Sequence, residues 1–139
     1  MTIKNSNLSS LIEDIHISKY GDYYFFKDFI ISEIKEGITF SWEVAQELLP
    51  AVFKHYGSKP SLSYITNRVN NYSVNPTDWY KFFNSNDKTC LKGYAMVSYT
   101  EAGWVNSIIE KLFVQTKVES FTNLYEAIDW VSQLRIKSK

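Results

Sequence analysis

The chain has a single cysteine, Cys90, in 139 residues. It cannot close an internal disulfide, so the core alone must hold the fold, and a reducing compartment suits it. With no flanking cation or helix start to activate it, Cys90 reads as a buried, inert thiol. Histidine is nearly as scarce. His16 and His55 have no cysteine or aspartate at metal-ligand spacing, and each reads as a surface or hairpin residue. The five glycines are scattered, and none belongs to a phosphate loop, a dinucleotide fingerprint or a nucleophile elbow. No metal or cofactor is implied. Net charge is absent too: fifteen basic side chains face fifteen acidic ones. A neutral chain lacks the broad positive field that nucleic-acid binding needs. No run approaches the roughly 20 apolar residues of a membrane span, and the N-terminus shows no leader-length apolar stretch. The expectation is a cytoplasmic protein with no nucleic-acid partner and no membrane span.

Aromatic residues are abundant: ten Tyr, nine Phe and four Trp. Most are expected in the core, with some left for a pocket or a subunit interface. At this length the chain is one domain, 1–139, with residues 1–10 and 136–139 expected as loose ends.

The pattern along the chain is α/β. Ile15 and Ile17 alternate as in a half-buried strand, Tyr20-Gly21-Asp22 signals a turn, and Tyr23–Phe26 and Phe29–Ile34 are further extended runs. Ser41 caps a first helix with Glu43 in its first turn. Ala45, Leu48, Leu49, Val52, Phe53 and Tyr56 form its inward face, Pro50 sits within it, and Gly57 ends it. A strand follows at Leu62–Thr66. A second helix is expected from Pro76, with Asn75 as cap and Trp79, Phe82 and Phe83 as buried edge, broken at 84–87. Leu91–Tyr99 is a strand. Thr100 caps a third helix whose Val105, Ile108, Ile109, Leu112 and Phe113 are expected to face inward. Val118–Phe121 is the last strand, and Asn123 opens a final helix with Leu124, Ile128, Val131 and Leu134 on one face. Strand–helix alternation implies a mixed, mostly parallel sheet of about five strands with four helices and an antiparallel opening hairpin.

Acid–base chemistry is thin. The pairs Glu13/Asp14 and Glu33/Glu36 read as solvated strand ends, not as paired catalytic carboxylates. What remains is the loop after the Leu62–Thr66 strand, which holds Asn67, Arg68, Asn70, Asn71, Tyr72, Ser73 and Asn75 and leads to Trp79. Two readings stand. The asparagines can satisfy turn and cap hydrogen bonds locally, with Arg68 paired to a nearby carboxylate. Alternatively the loop is a ligand or partner site: Arg68 holds an anionic group, Tyr72 and Trp79 are apolar walls, Asn67, Asn71 and Asn75 are polar contacts, and Ser73 accepts a hydrogen bond or a phosphate. An enzyme using Ser73 or Tyr72 with Arg68 ranks last, because no base accompanies them.

Several segments resemble the STAS-like (SpoIIAA-like) superfamily over about residues 12–135. They are Glu36-Gly37-Ile38, Leu48-Leu49-Pro50, Tyr64-Ile65 with Tyr72-Ser73, Gly93-Tyr94-Ala95-Met96-Val97, and Phe121 with Glu126-Ala127-Ile128-Asp129-Trp130. The run from Tyr64 to Trp79 looks like that of small bacterial STAS-like proteins of the Bacteroidetes type. The resemblance implies a SpoIIAA-like α/β domain, mostly non-catalytic. Antagonists of this fold bind a partner kinase and are switched by serine phosphorylation before the second helix, and related carrier domains bind apolar ligands. Ser73 and Thr77 are then candidate phosphorylation sites, although Asn75-Pro76-Thr77 stands where those antagonists carry Asp-Ser-Ser-Gly. The expected function is a non-catalytic binding or interaction module, regulatory in role, that meets a protein partner or forms a homodimer. The alternative is a carrier or sensor of a lipid or other apolar anionic ligand.

Overall fold

A computed structural model of the protein describes residues 1–84 and 90–137. The break expected at Ser85-Asn86-Asp87, the side chain of Cys90 and the side chains from Arg135 onward lie outside the described residues. The fold is mixed α/β. Strands β1 (Asp14–Ile17), β2 (Gly21–Phe25) and β3 (Phe29–Ile34) form the antiparallel opening. Strands β4 (Thr39–Phe40), β5 (Ser61–Arg68), β6 (Ser73–Val74), β7 (Cys90–Ser98) and β8 (Lys117–Phe121) follow, with helices α1 (Trp42–Tyr56), α2 (Asp78–Phe83), α3 (Glu101–Glu110) and α4 (Leu124–Lys137) between and after them. The main sheet runs β1-β2-β3-β5-β7-β8, parallel from β3 onward, and β4 pairs with β6 in a separate two-residue ladder.

Local chemistry places the element ends. Ser41 accepts the Val44 N–H, Thr100 the Gly103 N–H, and Asn123 the N–H groups of Tyr125 and Glu126, so three helices begin where a side-chain oxygen can satisfy them. Gly57 closes α1 at φ 99°, a conformation that costs other residues more. Gly21 is fixed differently: a Cβ there would lie 2.5 Å from the Glu33 carbonyl oxygen, so the hairpin demands its missing side chain. Pro50 lies on the exposed side of α1, where water can reach the carbonyl it leaves unpaired.

Side chains alternate across the sheet and build two cores. Tyr23, Phe25, Ile30, Ile34 and Leu62 meet Leu48 and Val52 of α1 on one face. Tyr24, Phe26, Ile31, Ile65, Ala95 and Val97 meet Leu124, Ala127 and Val131 of α4 on the other. Residues 1–10 are not a loose end, as their polarity suggests. Ile3 is fully buried, its N–H is bonded to Glu33 at 2.8 Å, and Ser6 caps a 3-10 turn at Asn7–Leu11 that buries Leu8.

Two helices depart from expectation. α2 starts at Asp78, not Pro76: the Asn75 side-chain oxygen accepts from the Thr77 hydroxyl at 3.0 Å and caps no N–H, while the Asn75 backbone carbonyl accepts the Asp78 N–H. It is six residues long and none is fully buried; Trp79, Phe82 and Phe83 are half-covered. α3 is turned over. Val105, Ile108, Ile109 and Leu112 just beyond its end are exposed by 49%, 48%, 47% and 78%, while Ser107 and Glu110 are buried. The cause lies beneath the helix. The sheet positions it covers are polar, so Ser107 bonds to Ser120 of β8 at 2.8 Å and Glu110 reaches Arg68 of β5. Among the described residues, no helix is long and apolar enough to cross a membrane.

Candidate functional site

The last side chain of β5 on the α1 face is Arg68, and it is the hub of a buried polar network. Its Nη2 donates to Glu110 Oε1 at 2.5 Å and to the Tyr94 hydroxyl at 3.4 Å, and its Nε donates to the Tyr72 hydroxyl at 3.2 Å. The second carboxylate oxygen, Glu110 Oε2, accepts from the Trp79 indole at 2.9 Å. The Tyr72 hydroxyl also bonds to Thr66, and the Arg68 guanidinium lies 5.5 Å from the Tyr72 ring centre. Burial opposes the guanidinium charge, but the Tyr72 and Tyr94 oxygens and the Glu110 carboxylate outweigh it and raise the Arg68 pKa. Burial also holds the Tyr64 and Tyr94 phenols well above their ordinary range. Arg68 is therefore a fixed cation neutralised by its own chain.

Two hollows flank the network. A polar cleft of about 320 Å³ opens over the C-terminal ends of β5 and β7, bordered by Asn71, Ser73, Ser98, Gly103 and Asn106. Ligands of open parallel sheets collect at such strand ends. The Ser98 hydroxyl on its floor is buried with no hydrogen-bond partner among the described residues. An apolar pocket of about 100 Å³ lies between α1, α2 and the sheet, walled by Trp42, Leu48, Val52, Leu62, Trp79 and Phe82. Asp78 bridges its two helices by accepting the Trp42 N–H at 2.7 Å.

The residues singled out from sequence divide among these places. Arg68, Tyr72 and Trp79 meet around Glu110. Asn71 and Ser73 are exposed at the rim of the cleft, where Ser73 is a strand residue of β6 whose N–H bonds to Ile38. Asn71 fixes the loop through its backbone, donating to Glu36 and accepting from Gly37. Asn75 and Trp79 line the apolar pocket. Thr77 is exposed just ahead of α2. Asn67 points to the opposite face, fully buried, donating to the Met1 carbonyl and Glu33 and accepting from Tyr99 at 2.6 Å. Glu110, which organises the group, went unnoticed in the sequence. Its only signal is a lone acid in the apolar run IIEKLF. Among the described residues, no three His, Cys, Asp or Glu side chains gather at metal-binding distance.

No protein-family model and no curated protein matches the chain. Among solved structures it is similar to an uncharacterised protein of the DUF3478 family with a SpoIIAA-like fold from Shewanella loihica PV-4. That similarity covers 85% of this chain and 90% of the other at 10% identity, with a TM-score of 0.48. The fold named there is the one the sequence resemblance names. A similarity at this level carries no argument about ligand, partner or chemistry.

Proposed function

We propose that the protein is a non-catalytic interaction module whose contact face is the outer side of α3. The observation that carries this reading is the inverted helix: polar Ser107 and Glu110 are buried while Val105, Ile108, Ile109 and Leu112 stand in solvent. A soluble surface tolerates single apolar side chains, but a contiguous stripe on one helix is the form that partner-binding surfaces take. The buried Arg68–Glu110–Trp79 network fixes α3 without using its apolar face, so that face is free for another molecule. A photo-crosslinking amino acid in place of Ile108, or of Tyr125 on α4 as control, tests this in the protein's native cells. Position 108 should give a covalent adduct to a second polypeptide and position 125 should not. No adduct from 108, or equal adducts from both, overturns the reading.

The apolar pocket favours a second reading, carriage of a small apolar ligand between α1 and α2. Protein purified from those cells and weighed under native conditions would then carry extra mass that unfolding releases. A bare chain removes this reading.

A further inference from the structure

Ser98 ends β7 as a buried hydroxyl with nothing to bond: the residue is 2% exposed and its Oγ has no partner among the described residues. An orphaned buried hydroxyl costs free energy, and a fold that keeps one calls for a partner from outside the chain. The first turn of α3 passes over it. A Cβ on Gly103 would lie 3.4 Å from the Ser98 Cβ and 3.5 Å from its Oγ, so the missing side chain keeps the space between hydroxyl and helix open. Arg68 is the register partner of Ser98 on β5, on the same face and about 5 Å away at the backbone. Its Nε and Nη2 are committed to Tyr72, Tyr94 and Glu110, and Nη1 has no acceptor among the described residues. On the helix, Thr100 takes only the Gly103 N–H, which leaves the Glu101 and Ala102 N–H groups at the positive end of ten helical residues. Arg68, Ser98 and Ala102 all border the polar cleft. We propose that this cleft binds the phosphate group of a small polar molecule.

The donors select the ligand. A hydroxyl, a guanidinium nitrogen and a backbone N–H converge from β7, β5 and α3, and each offers a proton to an oxygen. The acid on this side cannot compete, because Glu110 accepts from Arg68 with one oxygen and from Trp79 with the other. Glu101 is exposed and does not border the cleft. Donors from three elements suit the oxygens of a tetrahedral group better than the two coplanar oxygens of a carboxylate. The rest of the cleft, about 320 Å³ in all, exceeds what one phosphate fills, and Asn71, Ser73 and Asn106 edge it. Uncharged polar walls fit a hydroxylated body, not an apolar tail. Arg68 and Glu110 are the only charged side chains among the described residues bordering it, and they cancel. With no surplus cation, a bare phosphate should bind only at millimolar concentration. The site does not depend on what the outer face of α3 meets.

Amide NMR titrations of the full chain test this, with inorganic phosphate, acetate and glycerol phosphate added at ionic strength held constant by sodium chloride. Phosphate should give saturable shifts at the Ser98, Ala102 and Gly103 amides, with an affinity at least tenfold above that of acetate. Ser98→Ala removes a hydroxyl but no hydrogen bond, so it should weaken binding at least tenfold with an unchanged circular-dichroism spectrum. Asn106 is exposed at the cleft edge. Asn106→Asp should weaken binding severalfold and Asn106→Lys should strengthen it severalfold, whatever Ser98→Ala does to folding. Glycerol phosphate binding more tightly than inorganic phosphate assigns the rest of the cleft to the body of an ester; weaker binding assigns the cleft to the free ion. No saturable shift, shifts as large with acetate, or phosphate binding indifferent to both Ser98→Ala and the Asn106 charge variants overturns the proposal.

Discussion

Arg68 is 42 positions from Glu110 in sequence and 2.5 Å from it in space, with side-chain exposures of 9% and 2%. Taking both charges out of water is expensive, and the pair holds because each carboxylate oxygen and the guanidinium find further partners in Trp79, Tyr72 and Tyr94. Removing one partner should therefore cost far more than the pair itself is worth. Arg68→Ala is expected to lose about 3–5 kcal/mol of stability, because Glu110 would be left charged and uncompensated. Arg68→Met combined with Glu110→Leu should recover most of that loss, since the space would be filled without charge. Urea titrations of the three variants decide it. A loss below about 1 kcal/mol for Arg68→Ala would show that solvent reaches Glu110. The loop sequence left two readings of Arg68, a cation paired to a carboxylate or one free for an anion, and the structure pairs it, with Glu110. A partner supplied by the next helix but one cannot be read from local spacing.

At the scale of elements, α1 and α3 carry equally regular apolar periodicity and do opposite things with it. Leu48 on α1 is 8% exposed and packs in the core, whereas Ile108 on α3 is 48% exposed. Leu48→Ala should cost about 2–5 kcal/mol, while Ile108→Ala should stay within about 0.5 kcal/mol. Similar losses for both in thermal or urea unfolding would mean that α3 is a core helix. The contrast shows what the sequence could and could not convey. Ser41, Gly57, Thr100 and Asn123 mark element ends through bonds made within a few residues, so the order of strands and helices was legible. Periodicity says that a helix has an apolar side, but not which way that side faces. Direction depends on what lies beneath, and for α3 that is Arg68 and Ser120, polar positions on strands far apart in the chain. The same limit hid the β4–β6 ladder, whose two-residue strands hold the Asn71–Asn75 loop against Gly37–Phe40. It also hid the anchoring of residues 1–10, where one buried isoleucine outweighs a polar run.

For the whole molecule, the consequence of building so much of the α1 face from tyrosine is a stability that must fail in alkali. Burial is the largest cause raising the pKa of Tyr23, Tyr24, Tyr56, Tyr64, Tyr94 and Tyr99, with Tyr24 reaching about 12. The Tyr23 hydroxyl adds to this, since it is buried without a partner among the described residues. A phenol held neutral in the folded state but free to ionise near pH 10 when unfolded means that the unfolded chain binds fewer protons above that pH. Stability is then fully present below pH 10 and declines as the pH rises further. Each such tyrosine contributes about 1.4 kcal/mol per pH unit, so Tyr23, Tyr64 and Tyr94 alone give a slope of about 4 kcal/mol per unit. A domain of ordinary stability, about 5–15 kcal/mol, would unfold within about one to four units above pH 10. The buried phenols should therefore not titrate one by one. Tyrosinate absorbance and the loss of far-ultraviolet dichroism should rise together in one cooperative step. The alternative, absorbance climbing gradually while the dichroism persists, would require that hydroxide reach Tyr64 and Tyr94 in the folded protein. The Arg68 network would then be open to solvent, and α3 would lose the rigid polar seating that lets it present an apolar face.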